Sequence, residues 1–405
     1  MSNAVNTDRS LPPNGADGDV SFPPFAFASA TGVYILMGAV TSLFGPLLES
    51  FAHRFHLSLA SAGLALSVYF VGASLGVLPG WLGLKRVDGR LVLGVSLISI
   101  ALGAAGASLS HWWPLFLTSV FIVGLGFGAL DLALNTLMTR TNLQGRAHRL
   151  SVGNAGYGVG AVICPIIIVG IGPHNFPTLF AGLGVLALLL SVTNRGLVAP
   201  PQRSAPNIEL PAVRAHRRQV LATFIFAFIF YTALETGSSG WMATQIHGVG
   251  YSESIGSLVT AGFWTGMALG RSLGGPLHRR FAEEKLVLGG LVTAAVLCLL
   301  AFADPLAPFA YPLLGLIIAS IFPMGLLWYT TLCPGDSDGL SWLLFFTMFG
   351  GVAGPGIASF MVSHFHIHVV PGVLACYAVI DLAIFYSARR FRPLSDADLS
   401  AARVI

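Results

Sequence analysis

Charge is what this chain has least of. Only 9% of its 405 residues are Asp, Glu, Lys or Arg, against about 25% in soluble domains. A soluble chain of this length cannot cover its surface with so few charges, so lipid is the expected solvent for most of it. No Gly-x-x-x-x-Gly-Lys-Ser/Thr phosphate loop occurs, which argues against ATP-driven work by this chain itself. Neither a Ser/His/Asp arrangement nor metal-hydrolase spacing occurs, so the chain is not expected to be an enzyme, and no cofactor is implied. Cysteine is sparse: Cys164, Cys298, Cys333 and Cys376 are scattered with no C-x-x-C pair, and are expected to be packing thiols, not metal ligands or disulfides. The segment from Met1 to Val20 has no basic stretch leading into a cleavage site, so a removed signal peptide is not expected. Strict apolar–polar alternation is also missing, which excludes a transmembrane barrel.

What the chain has instead is oil. Apolar residues make up 55% of it and the mean hydropathy is +0.78. Continuous apolar runs of about 20 residues recur, the length that crosses the roughly 30 Å hydrocarbon core as a helix. They read as twelve spans: 25–51, 58–82, 90–110, 112–139, 148–171, 175–195, 219–246, 253–276, 285–304, 306–332, 339–364 and 367–388. The expected class is therefore an all-α membrane protein with the lipid bilayer as its partner. The longest polar segment, 196–218, carries Pro200, Pro201, Pro206 and Pro211 and separates two groups of six spans, 25–195 and 219–388. Short tails, 1–24 and 389–405, flank them.

Basic residues assign the sides. Counting alternate loops from the N-terminal tail collects twenty of the 21 Lys and Arg residues, Arg271 among them; Arg54 alone falls opposite. Both termini are expected to be cytoplasmic in a multi-pass cell membrane protein. The net charge of +4 follows from this bias and implies no nucleic-acid partner.

The two groups of six share a pattern. Gly72, Leu75, Gly76, Gly80 and Arg86, then Leu91-Val92-Leu93-Gly94, match Gly266, Leu269, Gly270, Gly274 and Arg280, then Leu286-Val287-Leu288-Gly289. Duplicated halves related by an axis along the membrane normal describe one transporter architecture in particular. The basic loop from Gly80 to Arg90 resembles the loop signature of the major facilitator superfamily, with Leu84, and His278 in the second copy, where that family usually has an acid. The resemblance implies two pseudo-symmetric six-helix bundles over essentially the whole chain.

Charges inside a membrane are costly and mark function. Asp131 lies in the fourth span, with Asn135 one turn on and on the same face. Glu235 lies in the seventh, followed by Gly237-Ser238-Ser239-Gly240, a stretch that reads as an interruption, and by Trp241 and Gln245 on one shared face. No Lys or Arg stands at mid-depth to pair with either acid, so each is expected to carry a proton, hold a cation or meet water. Asp131 and Glu235 are the ion-coupling candidates. Trp241 and Gln245 pair a flat stacking surface with an amide, which suits a polyhydroxylated ring. Asn135, Asn154, Trp264, Trp328 and Tyr329 are the remaining substrate candidates. Asp381 in the twelfth span reads as a packing residue, and Glu49 as a hydrated residue near the outer end of the first. His364, His366 and His368 alternate in an outer loop and read as interfacial side chains, with no metal ligands assigned.

Several of these motifs resemble one family of the superfamily, the fucose–galactose–gluconate proton symporters and their sodium-dependent glucose transporter relatives. They are Asp131 with Asn135, Glu235 with Trp241, Ser320-Ile321-Phe322-Pro323, Gly350-Gly351 with Pro355, and Phe44-Gly45-Pro46 with Leu47-Leu48-Glu49. The first span lacks the Asp of the proton-symporter branch, which moves the coupling expectation to Asp131 and Glu235. The resemblance implies a monomeric secondary transporter that takes up a sugar, polyol or sugar acid with a proton or sodium. The alternative is an efflux antiporter on the same fold, disfavoured because the fifth span has Gly153, Gly156, Gly158, Gly160 and Pro165 but no Gly-Pro pair. A non-transporting receptor would leave the mid-membrane acids dispensable.

Overall fold

The computed structural model describes residues 24–139, 143–193, 211–334 and 336–393. Its regular elements are all helical: α1 (Pro24–Ser42), α2 (Phe44–Phe55), α3 (Leu59–Arg86), α4 (Gly89–Leu109), α5 (Trp113–Thr139), α6 (Leu143–Ile171), α7 (Phe176–Thr193), α8 (Pro211–Gly248), α9 (Glu253–His278), α10 (Glu283–Leu300), α11 (Ala307–Ile318), α12 (Ile321–Leu332), α13 (Ser337–Phe365) and α14 (Val370–Ala388). Among the described residues, ten spans are long and apolar enough to cross a membrane, α11 and α12 together making one of them. The expected count of twelve differs by α9 and α10. The first turn of α10 holds Glu283, Glu284 and Lys285, and α9 carries Glu253 and Arg271, so charge dilutes both segments. The N-terminal tail and most of the 196–218 linker lie outside the described residues; the linker's last residues, from Pro211, already belong to α8.

The breaks fall in different places from those the sequence predicts. The first span divides at Leu43 into α1 and α2, and the tenth at Ala319–Ser320 into α11 and α12. The seventh, expected to be interrupted at Gly237–Gly240, is one continuous helix, α8. Its small residues serve close approach instead of a break. A Cβ at Gly240 would press on Leu66 of α3, and the Ser239 carbonyl sits against Gly45 of α2. Small residues let helix backbones meet where lipid offers no hydrophobic drive between them.

The duplicated glycines of α3 and α9 do equivalent work. On α3, Gly72 and Gly76 lie against the carbonyls of Phe121 and Leu125 of α5. On α9, Gly266 and Gly270 lie against the carbonyls of Pro312 and Leu316 of α11. Side chains at these positions would separate each pair. Outward faces are oily, with Leu102, Leu109 and Phe309 well exposed, as lipid contact requires.

Acids at helix ends have local jobs. Asp88 caps α4 by accepting the Arg90 N–H at 2.7 Å, and Asp336 caps α13 by accepting the Gly339 N–H at 2.9 Å. That separates them from acids inside helices.

The helices alternate in direction. One end of the bundle, here called the near end, carries the start of α1, the junctions α3–α4, α5–α6 and α9–α10, and the end of α14. The far end carries the junctions α2–α3, α8–α9 and α13–α14. The first half of the chain (α1–α7) meets the second (α8–α14) through α2 on α8, α3 on α13 and α6 on α9. Cross-half contacts gather toward the far end. The Ser359 hydroxyl donates to the Ala60 carbonyl at 2.5 Å, Ser67 to the Val352 carbonyl at 3.3 Å, and Trp241 packs on Gly63. No comparable seam joins α5 to α12 among the described residues. Among the described residues, the cross-half contacts shut the far end.

Candidate functional site

Asp131 and Asn135 stand one turn apart on α5, so their side chains meet: the Asn135 amide donates to Asp131 Oδ1 at 2.9 Å. The Tyr34 hydroxyl of α1 donates to Asn135 Oδ1 at 2.8 Å. Asn135 is thus held from two sides, while much of its surface stays exposed. This tie between α1 and α5 needs tertiary structure, since its partners are 101 residues apart.

Glu235 of α8 lies opposite, beside Tyr231. Here the structure corrects the expectation that no basic residue reaches it. Arg271 Nη2 of α9 stands 3.8 Å from Glu235 Oε1, with side chains 32% and 16% exposed. The run Leu-Gly-Arg-Ser-Leu-Gly-Gly-Pro reads as the approach to a basic loop, yet α9 continues to His278, about two turns beyond Arg271. The pair is loose. Among the described residues the guanidinium has no hydrogen-bond acceptor, and 3.8 Å is beyond hydrogen-bond range. Arg271 also sits over the ring of Tyr157 of α6, 6.0 Å from its centroid.

Tyr157 is the point where the halves converge. It lies within electrostatic reach of Asp131 on its own half and of Glu235 and Arg271 on the other. Trp264 of α9 meets its ring edge-on at 6.1 Å, and a Cβ at Gly158 would be 3.2 Å from Ala268 of α9. Neither acid points away into lipid. Asn154 is exposed on α6, one turn before Gly158.

The other candidates lie apart from this centre. Trp241 is buried, its indole donating to the Pro355 carbonyl at 3.2 Å, and it packs into the far-end seam. Gln245 is buried one turn further, its amide 3.5 Å from the Ala301 carbonyl and its Oε1 without a partner among the described residues. Trp328 stacks on Phe385 at 5.9 Å inside the second half, and Tyr329 is buried, donating to Asp336 Oδ2 at 2.7 Å. Trp328 and Tyr329 therefore sit in side-chain packing near the α12–α13 junction, away from Tyr157. Sequence reading missed Tyr34, Tyr157 and Arg271. The one local hint is Gly156-Tyr157-Gly158, an aromatic ring whose flanking glycines let other helices approach.

Asp381 is fully buried in α14, and neither carboxyl oxygen has a partner among the described residues. An unpartnered buried polar group costs about 1–3 kcal/mol. Asp381→Asn is expected to keep transport within about twofold and to leave the thermal midpoint of purified protein unchanged or raised. Loss of transport with normal folding would give Asp381 a working role in place of a packing one. His364 Nδ1 lies 2.9 Å from the Phe360 carbonyl and its ring sits on Phe360 at 4.4 Å, so that histidine is engaged locally.

Residues 30–334 match the family described as Major Facilitator Superfamily. The glucose/mannose transporter GlcP of Bacillus subtilis is 24% identical over 385 residues, 90% of this chain and 94% of that protein. The cis,cis-muconate transport protein of Acinetobacter baylyi is 25% identical over 301 residues, 68% of this chain and 71% of that protein. A crystal structure of a D-xylose–proton symporter superposes with a TM-score of 0.71 at 17% identity, covering 92% of this chain and 98% of that one. With a family match across most of its length and that fold, this chain is a membrane transport protein and belongs to the Major Facilitator Superfamily.

Proposed function

We propose that the chain is a cation-coupled uptake carrier for a sugar, or a related polyol or sugar acid. Its twelve spans form two bundles, 25–195 and 219–388, that rock about a site centred on Tyr157. The near end is cytoplasmic, in line with the basic residues there, and the shut far end makes this an inward-facing state. The observation that carries this reading is the convergence of Asp131 from one half, and Glu235 with Arg271 from the other, on a single tyrosine between them.

In this mechanism Asp131 and Glu235 bind the coupling proton or sodium. Arg271 partly neutralises Glu235 while the site is empty. A cation arriving at Glu235 takes over that charge, and the uncommitted guanidinium donors turn to oxygen atoms of the substrate. Asn135 and Asn154 supply amide contacts, and Trp264 a ring face. Trp241 and Gln245 lie along the far-end path, where they meet substrate when that end opens. The muconate and glucose/mannose relatives carry an organic acid and sugars by name, and both substrate types offer oxygen-rich edges to such a set.

The test is uptake by proteoliposomes of a panel of radiolabelled monosaccharides and sugar acids, at two pH values, with and without sodium. Accumulation is expected for at least one compound under an imposed proton or sodium gradient. Asp131→Asn is expected to reduce it at least tenfold. Full gradient-driven accumulation by Asp131→Asn would remove that residue from the coupling role.

A further inference from the structure

A second cluster lies at the far end, outside the site around Tyr157. Glu49 of α2, His247 of α8 and Glu253 of α9 offer one ligand atom each, all within 4.8 Å of one another. The shortest link is His247 Nδ1 to Glu49 Oε2 at 2.5 Å, with side chains 43% and 21% exposed. Glu49 belongs to the first half of the chain and the other two to the second, so the cluster exists only while the far end is shut.

Its charge is not balanced. Two carboxylates face one imidazole. Arg54, the basic residue of the far end, turns elsewhere, 3.2 Å from His111 and over the ring of Phe176. With both carboxyl groups ionised, the cluster carries two negative charges beside a neutral His247 and one beside a protonated His247. Carboxylates held this close repel one another until a proton or a metal cation joins them. One imidazole nitrogen and two carboxylate oxygens, open to water on the remaining side, form a mixed nitrogen–oxygen set. That set suits a borderline divalent ion such as zinc better than magnesium, which prefers oxygen ligands and octahedral geometry.

We propose that Glu49, His247 and Glu253 form a divalent transition-metal site that latches the far end shut. The ion draws one ligand from the first half and two from the second, so it binds the shut state and loses a ligand when the halves part. By linkage, ion at about 100 times its dissociation constant shifts the shut-to-open ratio by about 100-fold. Zinc on the far side therefore slows the cycle without touching the substrate site.

The experiment uses full-length protein purified without a histidine tag. Zinc titration by calorimetry is expected to show one site per chain, lost or weakened at least tenfold in His247→Ala, His247→Gln and Glu49→Gln, and retained in His364→Ala. Zinc is expected to raise the thermal midpoint of the wild type, magnesium at the same concentration is not, and the variants' own midpoints without metal report whether they fold. These readouts need no transported substrate. In proteoliposomes, micromolar zinc on the far side is expected to lower the initial rate of uptake at least tenfold, reversibly with chelator, and His247→Ala is expected to be insensitive. Absence of zinc binding by the wild type, or binding that persists unchanged in folded His247→Ala and Glu49→Gln, overturns the site. Binding at the cluster with unchanged uptake overturns the latch.

Discussion

Glu235→Gln is expected to abolish gradient-driven accumulation while sparing substrate exchange. The glutamine keeps the side chain's shape and a hydrogen-bonding end but carries no charge, so it cannot take up and release a cation through the cycle. A driving force of about 60 mV is worth about 1.4 kcal/mol per charge moved, or about tenfold in concentration. Accumulation should fall from about tenfold to none, whereas counterflow of labelled against unlabelled substrate continues, because rocking and substrate contacts remain. The readout is the steady-state ratio in proteoliposomes beside the counterflow rate. Accumulation surviving in Glu235→Gln would move coupling to Asp131 alone. Arg271 supplies the control. Arg271→Gln strips Glu235 of its counter-charge, and the double variant Glu235→Gln/Arg271→Gln removes both charges together. The pair is loose and partly exposed, so the coupling energy in a double-mutant cycle on thermal stability should be about 1 kcal/mol, well below that of a tight buried pair.

Gly45→Val is expected to slow transport by disfavouring the far-shut state, without unfolding the protein. A Cβ at Gly45 would run into the Ser239 carbonyl of α8, across the boundary between the halves. Backbone cannot yield as a flexible side chain does, and overpacking costs about 1–3 kcal/mol. That penalty exists only while the halves touch there. About 2 kcal/mol shifts the shut-to-open ratio about 30-fold. Gly38→Val is the contrast. Its Cβ would meet the Tyr157 carbonyl of α6, within the first half, and that contact belongs to the bundle itself. Gly38→Val should therefore lower the thermal midpoint and the yield of folded protein, and Gly45→Val should lower uptake with a near-normal midpoint. Equal destabilisation by both, with no change in far-end accessibility to a thiol reagent, would show that the seam at Gly45 does not open during the cycle.

Lipid makes a membrane protein's class legible in its sequence. It demands runs of apolar residues long enough to cross it and punishes each charge within them, so the helical architecture and the short list of internal acids could be read residue by residue. The contact of Asp131 with Asn135 was legible for the same local reason, since residues one turn apart share a helix face. The glycine pattern repeated in α3 and α9 was legible as a repeat. Its task, seating each helix on a neighbour's carbonyls, became visible only with α5 and α11 in place. Glycine and serine in α8 read as a break because in isolation they weaken a helix; tertiary contact with Gly45 and Leu66 shows them as contact points in a continuous helix.

The pairings that give the acids their meaning were decided by tertiary structure alone. Arg271 beside Glu235, Tyr34 on Asn135, and Glu49 with His247 and Glu253 all join helices distant in sequence. In a soluble helix the apolar stripe announces which face is inward. In lipid both faces are apolar, so periodicity does not reveal which way a helix turns or which neighbour it meets. What this chain's sequence determined by itself was its solvent, its helices and the positions of its costly charges. The rotation of each helix decided which of those charges meet.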